Sequence, residues 1–127
     1  MSKLVKFSLA ACIGILPSVI CAEEHRATVT ASAYNSLPAQ TDETPFEAAW
    51  GDELKPGMKI IAVSEDLIEL GLDRGTTVRI DAFCGSTWTV LDRMPSRHRN
   101  KIDIYMGLDL KAAREWGVKE VTIYWEK

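Results

Sequence analysis

Apolar and polar positions alternate through much of the chain, and a period of two is the mark of a half-buried strand. Residues 27–34 (ATVTASAY) put Val29 and Ala31 on one parity and Thr28 and Thr30 on the other. Lys59 to Val63 (KIIAV) predicts a short buried strand. Residues 76–83 predict the next strand, and 86–91 (STWTVL) another. Ile102 to Tyr105 and Val118 to Trp125 complete the set, the last with Val121, Ile123 and Trp125 alternating. The core is therefore predicted to hold Ile61, Val63, Val78, Ile80, Val90, Ile102, Ile104, Val121 and Ile123.

Helical spacing is rarer. Ser64 can cap one short turn through Leu70, with Glu65 and Asp66 at its positive end. Leu108 to Trp116 predicts the one clear helix: Leu110, Ala113 and Trp116 share a face, and Gly117 stops it. Lys55-Pro56-Gly57 and Asp73-Arg74-Gly75 are turn signals. The connection from Asn35 to Asp52 carries Pro38 and Pro45, and a loop of that length is either functional or disordered. Phe46 and Trp50 are candidate anchors, which favours an ordered functional loop. Six short strands with turns about every ten residues predict a mainly-β small barrel rather than a doubly wound sheet. No internal repeat is visible in the residues.

Composition narrows the class. At 127 residues the chain has room for one small domain. Hydrophobic residues at 46% and charged residues at 26% are a globular balance. A net charge of −3 argues against a dedicated nucleic-acid binder.

The first 22 residues read as a secretory signal peptide. Lys3 and Lys6 precede an uncharged stretch from Phe7 to Ala22, which is shorter than the roughly 20 residues of a spanning helix. Ile20 and Ala22 fit a signal-peptidase site. Leu9-Ala10-Ala11-Cys12 spells a lipobox but lies too close to Lys6 for an apolar region, so lipidation is the weaker reading. The expected product is a periplasmic or secreted domain of residues 23–127 with net charge −5. Cleavage removes Cys12 and Cys21, leaving Cys84 with no intrachain disulfide partner. Between Phe83 and Gly85, Cys84 reads as a small buried hydrophobe.

Two histidines, His25 and His98, with no paired cysteines make poor metal spacing, and no Gly-rich phosphate loop or nucleophile elbow is present. No cofactor is expected. The informative acids are Asp92, after Val90-Leu91, and Asp103, flanked by Ile102 and Ile104. An acid between two isoleucines is expensive to bury unless paired or functional. It can also simply face solvent while both isoleucines face the core. The residues between the two acids include Arg93, Arg97, His98, Arg99 and Lys101, a local basic patch in an acidic protein. That patch suits anionic groups or is a solvated loop. Tyr34 and Trp50 suit stacking on a ligand ring or anchoring the core and loop.

From Ala27 to Trp125 the chain resembles the three-aspartate (3D) domain, a double-psi β-barrel related to the catalytic barrel of membrane-bound lytic transglycosylase A and to the rare lipoprotein A family. The resembling blocks are VTASAY (29–34), IAVSEDLIELG (61–71), TTVRI (76–80), TVLDRM (89–94), KIDIYMG (101–107), AREWG (113–117) and VTIYW (121–125). Asp92 and Asp103 occupy the second and third aspartate positions. The first is Ser64, with Asp66 two residues on. Arg93-Met94 and Glu69 also depart from the family pattern.

The resemblance implies a six-stranded barrel acting on peptidoglycan glycan strands. Asp103 would be acid/base and Asp92 its electrostatic partner at the barrel mouth. Tyr34, Trp50, Ser64, Asp66, Arg93, Arg97 and Lys101 would bind substrate. The alternatives are a non-catalytic cell-wall-binding or partner-binding barrel, and an unrelated secreted inhibitor or accessory protein.

Overall fold

A computed structural model describes residues 23–37 and 46–127. The signal peptide expected over 1–22 lies outside the described residues, as do Pro38 and Pro45. Eight elements follow in order: β1 (Glu24–Tyr34), β2 (Ile60–Val63), α1 (Glu65–Glu69), β3 (Thr77–Ile80), β4 (Trp88–Arg93), β5 (Lys101–Tyr105), α2 (Leu110–Trp116) and β6 (Lys119–Glu126). The strands close into one barrel in the order β1-β5-β2-β4-β3-β6. Two parallel pairs, β1 with β5 and β2 with β4, interleave among antiparallel neighbours, giving the double-psi arrangement.

The barrel has a two-fold repeat in its backbone. Exchanging β1 with β4, β2 with β5 and β3 with β6 reproduces the strand order and the sense of every pairing. Each half runs strand, strand, helix, strand. The residues do not repeat because a pleated strand demands only alternation of polarity, which many different side chains satisfy.

All nine predicted core residues are buried inside the barrel, at 3% exposure or less. A second, outer cluster forms where residues 46–58 fold back over the sheet and cover Ile60, Ala62 and Tyr105 with Ala48 and Leu54. Ala48 and Leu54, not Phe46, are the buried anchors of this connection; Phe46 is exposed. Trp50 is half-buried against the barrel core. Cys84 is exposed, contrary to the expectation of a buried thiol. Its neighbour Phe83 takes the packing role, lying against Trp88 and stacking on Trp116. Helix α2 buries no residue completely, and its Trp116 indole donates to the Ala31 carbonyl at 3.1 Å. At the end of β5, Gly107 holds φ of 57°, and a Cβ there would meet the Pro56 Cα at 3.0 Å. Only glycine suits that close approach without strain.

Candidate functional site

Strand pairing places four residues in one row across the outer face of the sheet. Asp92 of β4 pairs with Ala62 of β2, Ala62 pairs with Asp103 of β5, and Asp103 pairs with Ser32 of β1. Directly paired residues project to the same side of a sheet. With strands about 4.8 Å apart, the two aspartate Cα atoms are roughly 10 Å apart, on either side of Ala62. The two-fold exchange maps Ala62 onto Asp103 and Ser32 onto Asp92. One half of the barrel thus supplies both acids, and the other supplies two small residues that leave them room.

Asp103 reaches this face by alternation alone. Ile102 and Ile104 point into the core at 1% exposure or less, so Asp103 points out. Asp92 needs a defect. Trp88 and Val90 face the core, and an unbroken strand would send Asp92 the same way. The register of β4 on β2 instead slips after Ile61, which pairs with Val90 while Ala62 pairs with Asp92. Leu91 is the extra residue of a β-bulge, the device that commonly re-aims a side chain near a site. The acids therefore meet on the outer wall and not at the barrel mouth, because parity and the bulge decide the face.

The hydrogen bonds at the two acids differ. The Ser32 hydroxyl donates to Asp103 Oδ1 at 3.1 Å. Burial is the main force pushing the Asp103 carboxyl from its ordinary 3.8 up to about 6; the Asp92 charge adds to it and the Ser32 bond works against it. Among the described residues Asp92 receives three donors: the Tyr34 hydroxyl on Oδ2 at 2.9 Å, and the Ala49 and Arg93 backbone N–H groups on Oδ1 at 2.7 and 2.9 Å. Burial, and then the Asp92 charge, push the Tyr34 phenol far above its usual range.

A cleft of about 910 Å³ opens over this row. One wall is the hairpin of residues 46–54, where Glu47, Ala48, Ala49 and Gly51 face the space. The other wall runs from the end of β4 through the connection to the start of β5 and carries Arg93, Arg97, His98 and Lys101. Partial burial and the charges of Arg97 and Lys101 push His98 below its ordinary value. The hairpin is tied down by the Asp52 carboxylate, which accepts two hydrogen bonds from the Arg74 guanidinium.

The fold thus brings Tyr34, Asp92, Arg93, Arg97, Lys101 and Asp103 together. Trp50, Ser64 and Asp66 do not line the cleft. Trp50 lies 5.9 Å from the Arg93 guanidinium, ring centre to carbon. Ser64 is fully buried, and its oxygen accepts the Lys101 backbone N–H at 3.0 Å. Asp66 accepts the Asn100 backbone N–H at 2.9 Å. Although partial burial opposes it, the Ser64 hydroxyl and the Asn100 N–H, with Arg99 nearby, hold Asp66 below its ordinary value. Ser64 and Asp66, at the start of α1, therefore brace the Asn100–Lys101 end of the basic wall. Tyr34 is only 9% exposed, which leaves its ring no open face for stacking on a sugar. Sequence reasoning missed Ser32, Ala62 and the Ala49 N–H. Two are small residues with no chemical signature, and the third is backbone; only their partners mark them.

No family model and no curated protein matches the chain. Among solved structures it is similar to one described as Streptomyces papain inhibitor, with a TM-score of 0.52 and 20% identity, covering 79% of this chain and 94% of that one. That likeness shows a shared closed, six-stranded, mixed β-barrel fold.

Proposed function

We propose that the outer cleft is an acid/base site that cleaves glycosidic bonds of peptidoglycan by the lytic route, with Asp103 as the catalytic residue. The observation that supports it most is the half-buried Asp103 carboxyl, raised to about 6 beside a second, firmly held carboxylate in an open cleft. A general acid works best with a proton affinity near the working pH. Protonated Asp103 gives its proton to the glycosidic oxygen as the bond from that oxygen to C1 breaks. The resulting carboxylate takes the proton of the same sugar's 6-hydroxyl, and O6 bonds to C1. A 1,6-anhydro ring forms, Asp103 regains its proton, and neither water nor cofactor is consumed. Arg97 and Lys101 on the basic wall suit the lactyl and stem-peptide carboxylates of the glycan strand. Export through residues 1–22 would place the domain beside the cell wall.

Release of 1,6-anhydro-muropeptides from purified sacculi tests the reading. Asp103→Asn should lower turnover by about 10²–10⁴-fold. A second reading, a non-catalytic binding barrel, is favoured by the solved neighbour, described as a papain inhibitor, and by Ser64 where the three-aspartate domain that the chain resembles has its first aspartate. Retention on sacculi, or inhibition of a papain-type protease, with no product from the wild-type protein would establish it and sink the lytic one.

A further inference from the structure

Tyr34 sits at the end of β1, two residues beyond Ser32 and on the same outer face. Its ring packs against the Tyr105 ring at 5.4 Å and 56°, within the cluster that includes Ala48, Leu54 and Met94. Packing on this scale fixes both side-chain torsions, so the hydroxyl is presented at one place. That place is Asp92 Oδ2, at 2.9 Å. The neighbouring Tyr105 hydroxyl is engaged with Ser36 instead. The other Asp92 oxygen is taken by the Ala49 and Arg93 N–H groups, so the carboxylate is clamped on both sides. The clamp draws on β1, the hairpin and β4, three parts of the chain that meet only in the folded state.

We propose that Tyr34 is a positioning residue of the acid pair: its hydroxyl orients the Asp92 carboxylate and tempers the charge that Asp92 presents to Asp103. This rests on the acid-site reading above and adds to it a residue that acts through Asp92 rather than on the substrate. The other charged groups around the pair are Glu47 from the hairpin, Arg93 from β4, Arg97 and His98 from the β4–β5 connection, and Lys101 from β5. None of these shows a hydrogen bond from its side chain to either aspartate among the described residues. Tyr34 does, and it is the contact to remove.

The test is a carbon-detected NMR titration of the Asp103 carboxyl, which needs no substrate. Tyr34→Phe keeps the ring and deletes the donor. Without the donor, the Asp92 charge acts on Asp103 undiminished, so the Asp103 midpoint should rise by roughly half a pH unit. In an Asp92→Asn background there is no charge to temper, and Tyr34→Phe should leave the midpoint where it was. Replacing Tyr34 by 3-fluorotyrosine keeps the shape and strengthens the donor, so the midpoint should fall; this arm serves if the Phe variant does not fold. A shift of equal size in both backgrounds, or none in either, overturns the proposal. The sacculus assay separates it from the reading beneath it. If the midpoints move as expected and the wild-type protein releases no anhydro product, the positioning role stands and the lytic reading fails. If product forms and the midpoints stay still, the reverse holds.

Discussion

Asp103→Asn should stabilise this protein at alkaline pH and leave it nearly unchanged in acid. The folded Asp103 carboxyl holds its proton up to about pH 6, against an ordinary 3.8. Below the ordinary value both folded and unfolded chains carry the proton, and the group costs nothing. As pH rises through the interval, the unfolded chain loses its proton first. The folded chain must then ionise a half-buried group beside Asp92, so stability falls with rising pH and the loss is complete above about 6. Each pH unit of the interval is worth about 1.4 kcal/mol. The full penalty is therefore about 3 kcal/mol, and about 2 kcal/mol once solvent entering the open cleft is allowed for. Asparagine has the same size, never ionises, and keeps an oxygen for the Ser32 hydroxyl.

Urea unfolding of both proteins at pH 3.5 and pH 8 measures the difference from the midpoints at constant slope. The variant should lead by about 2–3 kcal/mol at pH 8 and by less than about 0.5 kcal/mol at pH 3.5. On the proposed lytic reading the same substitution should lower turnover by about 10²–10⁴-fold, the usual trade between stability and activity. A gap of equal size at both pH values, or a variant less stable at pH 8, would falsify the burial of Asp103 on which the site rests.

Three further substitutions probe the frame. Ile104→Ala, at a position with 1% exposure inside the barrel, should cost about 2–5 kcal/mol in urea melts; a loss under 1 kcal/mol would mean that β5 presents its other face to the core. Gly107→Ala forces a methyl onto the Pro56 Cα at a φ of 57° and should cost at least about 1–2 kcal/mol, against no change if the connection gives way. Ser64→Ala orphans the Lys101 N–H and should cost about 1–2 kcal/mol while leaving the Asp103 titration midpoint in place; a moved midpoint would show that Ser64 belongs to the acid site after all.

Much of the barrel was legible in the residues because strand burial is a local property. Period-two alternation marks which side of each strand is apolar, and the hydrophobic effect then places that side inward. Ile61, Val78, Val90, Ile102 and Ile123 could be assigned to the core one strand at a time, and every one is buried. The isoleucines around Asp103 allowed two readings, an acid buried in a pair or one facing solvent, and the structure turns it away from the core, half-buried beside Asp92. What the residues could not reveal is which strands lie side by side. The row Asp92–Ala62–Asp103–Ser32 joins positions up to 71 residues apart, and it exists only because β2 lies between β4 and β5 and β1 lies beyond β5. The bulge at Leu91 belongs to a pairing, not to a strand, so the parity of Asp92 had no local signal and tertiary register decided its face. The same holds for Ser64 and Tyr34. Their side chains announce polar chemistry, but only the packed neighbours settle that one braces a loop from within and the other clamps an acid.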